Sequence, residues 1–238
     1  NWPGVTVEKV EGAIKDHDLN IRLVDLPGTY SLTSYTMEEL VSRQFILSDE
    51  VDVIINVADA SSLERNLYLT LKLLELGKPV VLALYMIDIV EKGGMEIDLH
   101  RLPEMLGIPV IAVSARKRTG LDSLLHAAAH HKGCVDPDCL IHHHKNEAHH
   151  VHDHHSEYAM VYSDEMEDKI DHVISALERQ YPTLQNYRWH AIKVLGQDKE
   201  VCEKYPIDLP GITDKNYETQ LINEKCDFIQ EVIDEVLL

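Results

Sequence analysis

The spacing of hydrophobic positions changes several times along the chain, and each change marks an element. Val5, Val7, Val10 and Ile14 recur loosely at strand spacing. After the polar turn Asp16-His17-Asp18 comes a second run with Ile21, Leu23 and Val24, so 5–14 and 20–25 are predicted as the arms of a hairpin. Residues 36–48 read as a helix with Leu40, Val41, Phe45 and Ile46 on one face. The continuous apolar run 51–57, ending near Asp59, is the pattern of a parallel strand buried on both sides. Ser61-Ser62-Leu63-Glu64 has the form of a capping box, and Leu67, Leu71 and Leu74 stripe the helix that follows, up to Gly77. Residues 79–84 form the next apolar run and lead into Tyr85-Met86-Ile87-Asp88. A short helix at 99–106, a strand at 108–113 closed by Ser114-Ala115, and a helix at 119–130 complete the series. Strands alternating with helices at these lengths predict an α/β fold, a mostly parallel doubly wound sheet with helices on both faces.

The alternation stops after residue 133. Residues 134–155 carry Cys134, Asp136, Asp138, Cys139 and Asp153 together with His142, His143, His144, His149, His150, His152, His154 and His155. From Met160 onward only helical spacing remains, at 164–180, 186–204 and 216–237, punctuated by Pro182, Pro206 and Pro210-Gly211. The predicted division is therefore an α/β domain over 1–133, a His-rich linker over 134–157 and a small all-helical domain over 158–238. The formal net charge of −19 argues against nucleic acid as the main partner, since a phosphate backbone selects clustered Lys and Arg. Four cysteines in this length fit a reducing compartment better than a disulfide framework. Cys202 and Cys226 fall on helical patterns and are expected as core thiols. No apolar run reaches the roughly 18 residues of a membrane helix. The opening at Asn1, without Met, reads as a fragment.

Chemistry is suggested where the strands end. Asp25-Leu26-Pro27-Gly28 delivers a carboxylate to a strand tip and then breaks the chain, as in open α/β sheets that present a metal or phosphate ligand. Asp25 would hold Mg²⁺ there, and the Gly28 amide could approach a γ-phosphate with no side chain in the way. Tyr85-Met86-Ile87-Asp88 and Ser114-Ala115 end the next strands. Together they describe a guanine-nucleotide site: Asp88 accepts the N1 and N2 protons of the base, and the Ser-Ala turn donates to O6. Thr6 would complete the Mg²⁺ shell with its hydroxyl.

With these residues in hand the chain resembles the N-terminal cytosolic region of the bacterial ferrous iron transporter FeoB. Asn1-Trp2-Pro3-Gly4-Val5-Thr6-Val7-Glu8 is similar to that family's first switch and Asp25-Leu26-Pro27-Gly28-Thr29-Tyr30-Ser31-Leu32 to its second. Glu64-Arg65-Asn66-Leu67-Tyr68-Leu69-Thr70 is a further family-like stretch. Tyr162-Ser163-Asp164 and Glu167-Asp168-Lys169-Ile170 resemble the GDI-like helical domain that modulates nucleotide release. The resemblance implies a Ras-like P-loop GTPase domain followed by a helical domain, with GTP or GDP and Mg²⁺ as cofactors. Gly4, Val5 and Thr6 then join Asp25, Leu26, Pro27, Gly28, Tyr85, Met86, Asp88, Ser114 and Ala115 around the nucleotide. It also implies the cytoplasmic face of the bacterial inner membrane, the transporter's own membrane domain as partner, and slow GTP hydrolysis coupled to Fe²⁺ uptake. A homo-oligomer is left open.

Two departures stand out. No G-x-x-x-x-G-K-[ST] occurs before Asn1, so the phosphate cradle is missing from the sequence. In a G-domain sheet the strand before that cradle lies between the counterparts of 20–25 and 51–57. The chain is accordingly expected not to fold stably alone, with those two strands about 9–10 Å apart and without a shared ladder. The base-reading motif usually opens with Asn where this chain has Tyr85, which implies weakened guanine selectivity. The second switch has Thr29 in place of a water-positioning Gln, and Arg65 reads as a solvated helix arginine rather than an arginine finger. Two other readings compete. A ribosome- or RNA-linked GTPase shares the strand-end motifs but conflicts with the acidic charge. A non-hydrolysing metal-binding protein on a degenerate GTPase scaffold is favoured by the histidines, by Tyr85 and by the missing cradle.

The histidine density generates a prediction of its own. Neutral imidazoles bind transition metals and protonated ones do not, so residues 134–155 should hold Zn²⁺ or Ni²⁺ more tightly at about pH 7.5 than at about pH 5.5. Calorimetric metal stoichiometry that is unchanged after deleting the segment would reduce it to a polar linker. His126 and His130, four apart on a helix, are read as a solvated helix end.

Overall fold

The computed structural model describes residues 10–16, 19–29, 32, 37–130 and 160–238. β1 (Val10–Asp16) and β2 (Leu19–Asp25) form the expected antiparallel hairpin, with Val10 opposite Asp25 and Ile14 opposite Ile21. After α1 (Met37–Leu47) the chain alternates through β3 (Ile54–Asp59), α2 (Leu63–Glu75) and β4 (Val80–Tyr85). It continues through α3 (Ile87–Lys92), α4 (Arg101–Leu106), β5 (Val110–Ala112) and α5 (Leu121–His130). β4 lies between β3 and β5 and pairs with both in parallel. Val80 to Leu84 are all buried, which is why this strand reads as an unbroken apolar run. α2 covers β3 with Leu63, Leu67 and Leu71, and it adds one polar tie, Asn56 Nδ2 donating to Thr70 Oγ1 at 2.8 Å in the core. β2 and β3 belong to separate sheets and share no ladder among the described residues.

The helical part is built from α6 (Asp164–Gln180), α7 (Tyr187–Leu195), α8 (Lys199–Lys204) and α9 (Glu218–Val236). Several local expectations are corrected. The predicted helix 186–204 is two helices, because Gln197 takes a left-handed φ of 53° and Asp198 then caps α8 by accepting from the Val201 amide. The capping box at Ser61–Glu64 does not form. Ser62 makes no side-chain cap, and Asp59 instead accepts from both the amide and the hydroxyl of Ser61. The buried residues of α1 are Ser42, Arg43 and Ile46, while Leu40, Val41 and Phe45 of the predicted face are only half-buried. Cys226 is exposed and Cys202 half-buried, so neither is a core thiol. Residues 51–53 precede β3 instead of belonging to it.

α2 and α9 pack together where the α/β part meets the helices, and the seam has a charged centre. The Glu75 carboxylate on α2 sits 2.8 Å from Lys225 Nζ and accepts from the Tyr162 hydroxyl at 2.5 Å, with Lys225 and Tyr162 both buried. Burial first, and then the Glu75 charge, hold the Tyr162 phenol well above its usual range. Burial, reinforced by Lys193 and Lys225, pushes the Lys72 amine down to about 8 from 10.5. The chain end is tied in as well: Leu238 and Glu96 exchange backbone hydrogen bonds of 2.9 and 3.0 Å.

These charges act on stability in opposite directions. Removing one partner of a buried pair strands the other, at about 3–5 kcal/mol. Glu75→Gln should therefore lower the urea-unfolding free energy by roughly that amount at neutral pH. Lys72 works the other way. Its depressed amine is unfavourable below about 8, where it carries a proton in the folded state, and the cost is relieved as pH rises toward 10.5. Lys72→Met should therefore raise stability at neutral pH by an amount that shrinks toward alkaline pH. Urea midpoints measured across that range check both.

Candidate functional site

The parallel order of β3, β4 and β5 brings three loops to one edge of the sheet. Asp59 ends β3 directly opposite Tyr85, which ends β4, and the neighbouring pair Leu84 and Ala112 brings Ser114 to the same edge. Five of the sequence-predicted residues are therefore gathered here: Tyr85, Met86, Asp88, Ser114 and Ala115. The turn after β4 is tight. Met86 adopts a left-handed φ of 64° and half-exposes its side chain, and α3 begins at once. That bend puts Asp88 in the first turn of α3, where an acidic group is favoured by the helix dipole. Its carboxylate is half-exposed, with Lys92 3.7 Å away as an i,i+4 neighbour, so its acceptor atoms are available to an incoming donor.

The second loop is closed by a bridge. Ser114 and Thr119 exchange backbone hydrogen bonds of 3.0 and 3.1 Å, and Ser114 Oγ accepts from the Lys117 amide at 3.2 Å. These bonds hold a small loop whose Ala115 lies between the pinned Ser114 and the left-handed Arg118. Gly120 finishes it at φ 77°, and a Cβ there would sit 2.0 Å from the Ala112 carbonyl oxygen. Tyr85 stands in the centre of the edge. Burial first, and then the facing Asp59 carboxylate, raise its phenol above the ordinary tyrosine range. The set offers one carboxylate acceptor and a constrained amide loop, which fits a ring presenting adjacent donors beside a carbonyl, the edge of guanine.

Asp25, Leu26, Pro27 and Gly28 lie apart from this edge in the chain, at the end of β2 in the other sheet. Asp25 is exposed, Leu26 packs against the core, and the Pro27 carbonyl accepts from Ser42 Oγ at 3.1 Å. Thr29 Oγ1 donates to Glu39 at 3.4 Å and accepts from the Leu32 amide at 3.3 Å, so it folds back onto its own turn. A carboxylate on a strand end fits one vertex of a Mg²⁺ shell. Gly4, Val5, Thr6 and the histidines His142, His143, His144, His149, His150, His152, His154 and His155 lie outside the described residues. Among the described residues no group of three or more His, Cys, Asp or Glu could hold a metal ion; His126 and His130 stack with ring centroids 3.9 Å apart, and His130 Nδ1 lies 2.9 Å from the His126 carbonyl oxygen.

Sequence reasoning missed Arg43 and Asp198. Arg43 is 2 % exposed and forks onto Asp198 at 2.8 and 3.0 Å, with Glu200 at 3.5 Å and the Trp189 ring centroid at 5.0 Å. Burial pushes the Asp198 carboxyl up, but Arg43 more than offsets it and the net displacement is downward. The available signal was a charged residue at an inward helical position; its partner, 155 residues away, carries no local signature.

A parallel sheet with its loops gathered at the strand ends, followed by an all-helical unit, has the Ras-like GTPase fold with an appended helical domain. The family model for ferrous iron transport protein B matches residues 1–128, and that for the FeoB cytosolic helical domain matches residues 162–237. The chain belongs to the FeoB family. It is 38% identical over 202 residues to the Fe(2+) transporter FeoB of Salmonella typhimurium, covering 83% of this chain and 23% of that protein. It is 49% identical over 128 residues to the Fe(2+) transporter FeoB of Escherichia coli, covering 52% and 17%. The chain thus spans less than a quarter of the curated relatives it matches. A mutant S. thermophilus NFeoB bound to GDP superposes with a TM-score of 0.79 at 35% identity, covering 100% of this chain and 89% of that one. The cytosolic domain of T. maritima FeoB in its GMPPNP form gives 0.77 at 32% identity, covering 100% and 88%.

The closeness of Gly120 to Ala112 makes the Ser-Ala loop testable on its own. Gly120→Ala must move a strand carbonyl and also strain a left-handed residue, so it should cost at least about 2 kcal/mol. Thermal unfolding measures the loss. Hydrogen exchange should place it at the Ser114 and Thr119 amides.

Proposed function

We propose that this chain is the guanine-nucleotide-binding regulatory module of a ferrous iron transporter, binding GTP and GDP and hydrolysing GTP slowly. The observation that carries the reading is the convergence of Asp88 and the Ser114–Thr119 loop on adjacent strand ends, in a chain of the FeoB family. Asp88 accepts from the guanine edge and the Ala115 loop donates to its carbonyl. Asp25 and Thr6 would hold Mg²⁺, which would supply neutralisation of the phosphate charge. Gly4 and Val5 line the same nucleotide, and Leu26, Pro27 and Gly28 form the turn that senses its terminal phosphate. Slow hydrolysis follows from Thr29, which is tied to Glu39 and the Leu32 amide and supplies no water-positioning amide. No helix among the described residues is long and apolar enough to cross a membrane. The module acts at the cytoplasmic face of the cell membrane on the transporter's own membrane domain, and Fe²⁺ is the cargo there. The His-rich segment gathers a divalent transition metal.

Titration of the intact protein with fluorescent GDP tests the reading. Micromolar-type binding that is lost in Asp88→Ala supports it, and no binding at all sinks it. Tyr85→Asn restores an amide beside the base and should tighten GDP by about 1–3 kcal/mol, the worth of recovered hydrogen bonds in a buried site. An unchanged affinity would show that the pocket does not use this position. A metal-binding protein on a disused GTPase scaffold is the second reading, favoured by Tyr85; it predicts metal uptake with no nucleotide affinity.

A further inference from the structure

α2 and α7 each carry an aromatic ring and a lysine four residues apart. On α2 the Lys72 amine lies over the Tyr68 ring, 5.0 Å from its centroid, and on α7 the Lys193 amine lies 5.6 Å from that of Trp189. Both lysines are half-buried at the seam, and neither makes a hydrogen bond or an ion pair among the described residues. Acids are not scarce, with 41 Asp and Glu in the chain against 22 Lys and Arg, but those at the seam are committed. Glu75 is held by Lys225 and the Tyr162 hydroxyl, and Asp198 by the Arg43 fork and the Val201 amide. Glu200 lies 3.5 Å from Arg43, and Glu39, whose pull on Lys72 is weaker than that of Glu75, accepts from Thr29. The charge that acts most on Lys72 is a like one, Lys193. A ring face offsets part of the hydration that an ammonium loses, but it brings no negative charge. Two neighbouring amines are thus left in a poorly hydrated place with no counter-ion of their own.

We propose that Lys72 and Lys193 form a binding site for a small oxodianion of the phosphate class, set in the seam between α2 and α7. Two charges on the ligand match the two amines, and its several oxygens accept from both at once. Arg43 and Lys225 stay with their own carboxylates and add positive potential around the site. Half-burial among packed helices suits a compact ion. Such an ion supplies the counter-charge that the chain leaves out, so the lysine that is a cost to the empty fold becomes a binding group.

Inorganic phosphate is the probe, titrated into the intact protein by calorimetry. Thermal unfolding in phosphate and in chloride at equal ionic strength accompanies it. The unaltered protein should bind one phosphate per chain, and phosphate should raise its unfolding midpoint above that in chloride. Lys72→Met and Lys193→Met should each weaken the binding at least about tenfold, the worth of one charge-assisted hydrogen bond. Lys72→Met should do so while being the more stable protein in chloride, a combination that packing alone does not produce. Lys204→Met removes an exposed lysine over the Tyr205 ring, outside the pair, and should bind phosphate like the unaltered chain. No phosphate binding overturns the proposal. So does binding, or a rise in midpoint, that is the same in Lys72→Met as in the unaltered chain. The ion would then sit elsewhere, the nucleotide site included, or act as a generally stabilising salt. An equal loss in Lys204→Met overturns it as well, because the effect would be one of net charge. Should Lys193→Met not fold, Lys72→Met decides alone.

Discussion

Burial of β4 on both faces is the constraint from which the rest of the α/β part follows. Val80 to Leu84 present no polar side chain to solvent, so strands must flank them and helices must cover both sides. Parallel neighbours need crossover helices, which supply those covers and leave all three strands pointing the same way. Polar chemistry is then excluded from the strand and confined to its ends. Asp59, Tyr85 and the Ser114 loop occur together because one strand between two parallel neighbours allows them no other edge.

Period and termination were the legible features of the sequence. The hairpin, the apolar strands and Gly77 closing α2 at φ 71° all follow from repeats and from residues with a single conformational role. What escaped was decided by competition. Ser62 is an acceptable cap, but Asp59 reaches the same turn first and takes both donors of Ser61. Gln197 has no chemical reason to be left-handed, so the break between α7 and α8 was invisible until Asp198 was seen capping one helix and pairing with another. The apolar count on α1 favoured Leu40 and Val41, yet the helix turns Ser42 and Arg43 inward because each finds a partner there. Of the candidate site, the meeting of Tyr85, Met86, Asp88, Ser114 and Ala115 at one sheet edge was legible from the strand ends. The Arg43–Asp198 link was not, since neither residue is unusual alone.

The seam between the α/β part and the helices answers to different physics from either interior. The chain carries a formal charge of −19, yet Arg43, Lys72, Lys193 and Lys225 all gather at this boundary, with Glu75 and Asp198 set among them. Burial lowers the Lys193 amine as it lowers that of Lys72, and Lys193 lies 5.6 Å from the Trp189 ring centroid. The aromatic rings of Tyr68, Tyr162 and Trp189 lie under these cations and offset part of their lost hydration.

A seam built this way is chosen for orientation rather than for strength. Apolar residues of similar volume in place of a buried ion pair are commonly neutral or stabilising, so adhesion alone does not account for so many charges. Apolar surface also tolerates sliding, because dispersion contacts are re-formed in many registers. A guanidinium fork and a carboxylate shared by a phenol and an amine are each satisfied in one arrangement. Displacement by an ångström costs hydrogen bonds in a region that water does not readily enter. Two domains joined by such contacts are held in one relative orientation for as long as those bonds persist, so the boundary sets orientation as well as adhesion.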